Sequence, residues 1–189
     1  MAETMRLLCE EHANLAKLLY VLERQIETFN AGGQPDYDIV EGVIGYCLSF
    51  PELCHHPKED LVFRKLMAID PAAADGMEDL EAAHEELAAL TRKFASTVHR
   101  VLHDPGAQRL SFARVAQDFL YLYRRHIEME ETTFFPAALK ALGPEDWAEI
   151  DAQVSDPDDP LFGARVEKRF AALRQEILDL DRADIEGGE

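Results

Sequence analysis

The chain of 189 residues has few basic side chains, 19 against 37 acidic ones, for a formal net charge of −18. That balance offers no basic footprint for nucleic acid or for an anionic membrane surface. No apolar run approaches the roughly 18–20 residues that cross a bilayer. The opening stretch MAETMRLLCEEH also lacks the basic-then-apolar order of a secretory leader. Cysteine is scarce: Cys9, Cys47 and Cys54 are odd in number and follow no framework spacing, which points to inert thiols in a reducing cytoplasm. Period-2 alternation is missing, so no strand is expected. Phosphate loops, zinc-finger spacings and a Ser-His-Asp arrangement are missing too.

What is present is helical periodicity over a chain that is 47% hydrophobic, enough to build its own core. A first helix is expected over about Glu3–Phe29, with a stripe of Leu8, His12, Leu15, Leu19, Leu22 and Ile26. The turn NAGGQPDYD follows. A second helix is expected over Asp38–Met67, interrupted by Pro51 and Pro57, and a third over Ala74–Leu102 after Asp70–Pro71. His103, Asp104, Pro105 and Gly106 close the third, and Ser111 opens a fourth that ends near Leu142. Short connections make successive helices antiparallel, so the fold class is all-α, an up-down-up-down four-helix bundle. Residues 1–143 form that bundle. Residues 144–189 are a linker and an additional C-terminal amphipathic helix with the stripe Phe162, Val166, Phe170, Leu173, Ile177 and Leu180. Such a stripe must be covered, by the bundle or by a second copy in a homodimer.

Histidine carries the chemistry. His12, His55, His84 and His126 fall one per long helix, and two of them begin an HxxxE motif, His55 with Glu59 and His126 with Glu130. Residues i and i+4 share a helix face, so each pair reaches one centre. Counting outward from the turns tests their height. His12 and His55 lie 20 and 23 residues from Gly32, and His84 and His126 lie 21 on either side of Pro105. At about 1.5 Å per residue the mismatch is a turn or less, so all six side chains can meet in one layer. Six buried polar groups without partners would cost several kcal/mol each, and a metal centre satisfies them together. Imidazole with carboxylate and no thiolate suits iron, manganese or zinc.

The order His12, His55 with Glu59, His84, His126 with Glu130, and the strings HHPKEDLVF and HIEMEETTFFP, resemble the hemerythrin-like family, also called the HHE cation-binding domain, over about residues 5–140. The resemblance implies a non-haem di-iron centre of the Fe–O–Fe type. Glu59 and Glu130 would bridge, with His12, His55, His84 and His126 as terminal ligands. It implies a small-molecule ligand, namely oxygen, nitric oxide or peroxide, in sensing, detoxification or iron handling. Iron donation, storage or iron-centre repair is the alternative role. The family's oxygen carriers have a second histidine one turn away on the third helix; here Leu80 and Ala88 stand at those positions. With four imidazoles, two bridging carboxylates and one bridging oxygen, each iron would keep one open position, lined by Leu80, Phe63 and Phe134.

Several residues compete for roles around that layer. His56 and Glu81 are candidate further ligands, each more often supporting or solvated. Two ExxH strings, Glu52 to His55 and Glu81 to His84, offer a ferritin-like di-iron oxidase reading, which leaves His12 and His126 unexplained. Glu52 and Glu81 fit better as partners that orient ligand imidazoles. Pro57 should kink the second helix and aim its ligands. His99 lies about 22 Å from His84 along the axis, too far to join. Cys9, Cys54 and Tyr123 lie near the layer in height.

Overall fold

A computed structural model describes residues 2–74, 77, 79–103, 109–155 and 157–187, with backbone alone at 102, 103, 109, 110 and 183–187. Every regular element among the described residues is helical. The long elements are α1 (Glu3–Asn30), α2 (Tyr37–Cys47), α3 (His56–Ile69), α4 (Leu80–His103) and α5 (Arg109–Met129), followed by α6 (Phe135–Ala141), α7 (Pro144–Asp151) and α8 (Ala171–Gly187). Two wide π-helical turns, Pro51–His55 and Glu130–Phe134, join α2 to α3 and α5 to α6. The expected second and fourth helices are thus each a pair of helices joined through one such turn. The third begins later than expected, at Leu80, because Pro71–Ala74 form a separate 3-10 turn. The expected closing residues Asp104, Pro105 and Gly106 lie outside the described residues.

Local chemistry explains the ends. The Asp36 carboxylate caps α2, accepting from the N–H groups of Asp38 and Ile39 at 3.0 and 3.3 Å. Gly32 leaves α1 with φ of 88°, a conformation that costs little only without a Cβ. Pro144 opens α7, and Asp146 accepts from the Gly143 N–H at 2.9 Å.

The core divides in two along the bundle axis. One cluster joins Leu15–Phe29, Ile39–Phe50, Leu87–Val101 and Phe112–Tyr123 with Leu161, Phe170, Leu173 and Ile177. The other joins Met5 and Leu8 to Val62, Leu66, Leu80, Phe134, Phe135, Trp147 and Ile150. The break on each helix falls at a candidate ligand: His12 between Leu8 and Leu15, Glu59 between Phe50 and Val62, His84 between Leu80 and Leu87, and His126 with Glu130 between Tyr123 and Phe134. A polar layer therefore separates two apolar ones.

The C-terminal helix differs in extent from the expected stripe. Phe162 and Val166 precede it, and Val166 is exposed. Asp159 accepts from the N–H groups of Leu161 and Phe162, and Asp158 from those of Ala164 and Arg165, so carboxylates hold this stretch as a loop. Helical structure begins at Lys168–Phe170 and continues as α8. Phe170, Leu173 and Ile177 are buried against the chain's own α1 and α2. Glycine on α2 permits the approach: a Cβ at Gly42 would stand 3.4 Å from Leu173. Lys17 pairs with Asp181 across α1 and α8 at 2.8 Å.

Candidate metal centre

The two HxxxE motifs sit at the two wide turns. His55 ends the first turn, with Glu59 in the opening turn of α3; His126 lies in the last turn of α5, with Glu130 starting the second. In each, an N–H donates five residues back, His56 to Pro51 and Phe135 to Glu130. Pro57 and Pro136 follow as the second residues of α3 and α6. A proline has no N–H and its ring crowds the carbonyl four residues earlier, so a regular ladder cannot pass it; a wider turn can. The kink expected at Pro57 takes this form. The residue just before each proline is turned inward, and His56 and Phe135 are both 4% exposed.

The structure brings all six expected residues into one buried layer. Each carboxylate straddles two groups of imidazoles. Glu59 Oε1 lies 3.3 Å from His12 Nε2 and 3.4 Å from His55 Nε2, while its Oε2 lies 3.3 Å from His84 Nε2. Glu130 Oε2 lies 3.4 Å from His12 Nε2, while its Oε1 lies 3.0 Å from His126 Nε2 and 3.5 Å from His84 Nε2. Two sets have donor atoms close enough to hold an ion, His12, His55 and Glu59, and His56, Glu59, His84 and His126, with all atoms of a set within 4.8 Å of one another.

A ring of outer carboxylates grips the other imidazole nitrogen. His55 Nδ1 meets Glu11 at 2.8 Å, His84 Nδ1 meets Asp60 at 2.9 Å and His12 Nδ1 meets Glu131 at 3.2 Å. Buried Lys58 donates to Glu11 in turn. Such partners fix the tautomer and aim Nε2 inward. Sequence reasoning missed Glu11, Lys58, Asp60 and Glu131. A signal existed: Glu11, Asp60 and Glu131 are immediate sequence neighbours of His12, Glu59 and Glu130, and each reaches an imidazole of another helix. Glu52 lies 3.4 Å from His56 Nδ1 rather than beside His55, and that nitrogen makes no hydrogen bond. Glu81 is exposed and paired with Arg64 at 2.7 Å, so the ExxH arrangement does not form. His99 is exposed on α4, and neither Cys9 nor Cys54 belongs to either set. Tyr123 is buried and packs edge-on against Phe119. Phe135, unremarked in the sequence, stacks on His12 at 5.1 Å.

The electrostatics of the layer are those of an unfinished site. His12 Nε2, His84 Nε2, His126 Nε2 and both oxygens of Glu59 and Glu130 are buried without a hydrogen-bond partner. Burial opposes a charge on His12, but Glu130 and Glu59 outweigh it and raise its pKa to about 10. His84 is likewise raised to about 11, against burial, by Asp60, Glu130 and Glu59. Burial pushes the Glu59 and Glu130 carboxyls up, and for Glu130 so does Glu59 itself; the surrounding imidazoles win and hold both below the usual carboxylate range. His56 is lowered, by burial first and then by His84 and His55 despite Glu52. A cation between the carboxylates would replace those protons and satisfy these Nε2 and carboxylate oxygen atoms together, so the residues present fit a metal centre. A cleft of about 760 Å³, lined by His56, His84, Asp60, Arg64, Glu85 and Arg92 among others, opens beside the layer. Among the described residues no helix is long and apolar enough to cross a membrane.

The family model described as the hemerythrin HHE cation binding domain matches residues 4–138. No curated protein and no solved structure matches the chain.

Proposed function

The chain belongs to the hemerythrin HHE cation-binding domain family, and on that premise we propose that it holds two iron ions and uses them to bind or react with oxygen, nitric oxide or peroxide. One observation supports the pair above all: Glu59 and Glu130 each present one oxygen toward His12 and the other toward His84, with neither oxygen otherwise engaged. His12 and His55 would hold one ion and His84 and His126 the other, with Glu59 and Glu130 available to both. Bound iron supplies a redox-active Lewis acid with room for a small exogenous ligand. The chain's own groups prepare that position. Glu11, Asp60 and Glu131 accept hydrogen bonds from the Nδ1–H groups of His55, His84 and His12 and leave Nε2 to face the ion. Phe135 against His12, with Phe134 and Leu80 in the same cluster, borders the polar layer with apolar surface, which suits small neutral molecules better than large polar substrates. None of Cys9, Cys47 and Cys54 is disulfide-bonded, in keeping with work in a reducing cytoplasm.

Metal analysis of anaerobically purified protein, followed by spectra with each gas and with peroxide, tests the reading. Two irons per chain are expected, with reduced protein that changes its spectrum with nitric oxide and is oxidised by oxygen or peroxide. A di-iron form that responds to none of the three would leave iron storage or donation as the better account.

A further inference from the structure

We propose that buried Lys58 is a positioning residue of this centre: through Glu11 it limits how strongly His55 donates to its ion, and so makes the His12 and His55 half the harder of the two to oxidise. The inference rests on the two-metal reading and deepens it.

Three observations carry it. Lys58 is 3% exposed, its ammonium donates to Glu11 Oε1, and it lies 5.7 Å from the centre of the Phe50 ring. The second oxygen of the same carboxylate, Glu11 Oε2, stands 2.8 Å from His55 Nδ1. One carboxylate thus joins a buried cation to an imidazole whose Nε2 faces Glu59 at 3.4 Å. The other outer carboxylates are built differently. Among the described residues Asp60 and Glu131 pair with imidazole and with no lysine or arginine, and their side chains are 22% and 51% exposed against 10% for Glu11. Water screens those two, whereas the Lys58–Glu11 pair acts on His55 in dry surroundings, where a charge is felt most.

Helix geometry explains the placement. Lys58 precedes Glu59 on α3, and Glu11 precedes His12 on α1. Successive helical residues diverge by about 100°, so with Glu59 and His12 turned into the layer their neighbours lie beside it and meet across the two helices. Burying an ammonium is unfavourable, and a methionine or leucine would pack on Phe50 without that cost. What the lysine adds is charge at one place. Glu11 without a cation would draw harder on the Nδ1–H of His55, make that imidazole a stronger electron donor and favour a ferric ion. Lys58 holds the carboxylate's charge back, so His55 stays a neutral imidazole and a ferrous ion is favoured in its half.

The test is a mediated redox titration of the iron-loaded full-length chain, each step passing one electron from one ferrous ion to the mediator. It compares the wild type with Lys58→Met, Glu11→Gln and the double variant, with circular dichroism to establish folding and nitrogen-15 NMR of the histidine side chains in the metal-free proteins. Two steps are expected in the wild type. Lys58→Met leaves an extra negative charge behind His55 and should move the second, harder step toward the ferric ion by ~10-fold, roughly 59 mV for one electron. Glu11→Gln leaves an extra positive charge and should move the same step the other way. The double variant, neutral like the native pair, should return close to the wild type. In the metal-free proteins the Nδ1–H resonance of His55 should move downfield in Lys58→Met and upfield in Glu11→Gln, with those of His84 and His12 little changed. A merely structural ion pair would shift both single variants in one direction and the double variant further. That result, or folded single variants whose second step and His55 resonance match the wild type, overturns the role of Lys58. Should one single variant not fold, the other decides by the direction of its shift. A wild type that takes up a single ion overturns the two-metal reading beneath it.

Discussion

The layer that holds His12, Glu59, His84 and Glu130 and the seam where α8 lies on α2 are both buried, but on opposite terms. At the seam, Phe170, Leu173 and Ile177 meet apolar partners, and burial is itself the driving force. In the layer, five imidazoles and two carboxylates are withdrawn from water with much of their bonding capacity unused. The seam is complete as folded from the chain alone, whereas the layer keeps buried polar atoms that a bound cation would satisfy. Stability and metal content should therefore respond to different residues.

The largest separation is expected in metal content. Glu59→Ala and Glu130→Ala each remove a carboxylate shared by both halves, and should take the chain from two ions to one or none by elemental analysis. Glu81→Ala, at the surface, should change nothing. If Glu81→Ala empties the layer while Glu130→Ala does not, the comparison is wrong at its root.

Next in size is the seam. Leu173→Ala opens a cavity against Gly42 and should cost roughly 2–5 kcal/mol in chemical denaturation. Both ions should remain in the folded fraction. Removal of α8 by truncation after Asp159 carries the same logic further: association or aggregation by light scattering, with metal content near normal in what stays folded.

The pH response sharpens the contrast. In the metal-free protein the imidazoles of His12 and His84 are raised to about 10 and 11. Their contribution to stability is thus fully present below the unfolded value near 6.5 and is lost as pH rises toward 10–11. Metal must displace those protons, so metal affinity should rise with pH over the same window. Melting curves of empty and loaded protein should diverge from pH 6.5 upward, the loaded form gaining about 2.7 kcal/mol when free metal stands at 100 times Kd. Parallel curves would show that these imidazoles do not meet the metal.

The smallest effect expected lies away from both regions. Asp151 at the end of α7 accepts from the Thr4 N–H at 3.0 Å and hydroxyl at 2.6 Å. Burial raises its pKa, but the bonds from Thr4 and Glu3 outweigh it and hold it low. The stabilisation is present above the unfolded value and is lost as pH falls through the folded one. Asp151→Asn should cost about 1 kcal/mol at neutral pH, and the difference should shrink as pH falls below the ordinary carboxylate value of 3.8.

Much of this was legible in the chain. The stripe from Leu8 to Ile26 made α1 a core helix with His12 on its inner face, and counting residues from the turns put His12, His55, His84 and His126 at one height. Where prediction failed, a local device had intervened. The carboxylates of Asp158 and Asp159 captured backbone N–H groups and kept Phe162 and Val166 out of the last helix. Pro57 and Pro136, visible in the sequence, were signs of wide turns that a 3.6-residue period does not describe, and whether His56 faced inward beside His55 stayed open for that reason.

Sequence by itself determined the all-helical class, the heights of the four histidines and the two carboxylates four residues after a histidine, because periodicity and rise per residue are properties of one helix at a time. Only the tertiary structure decided that Glu11 would hold His55, that Asp60 would hold His84 and that Glu131 would hold His12. Each of these pairs joins two different helices, and its formation depends on how those helices are rotated about their axes. Rotation is set by the packing of the two apolar layers above and below the site, where Leu8, Val62, Leu80 and Phe134 on one side and Leu15, Phe50, Leu87 and Tyr123 on the other must interlock.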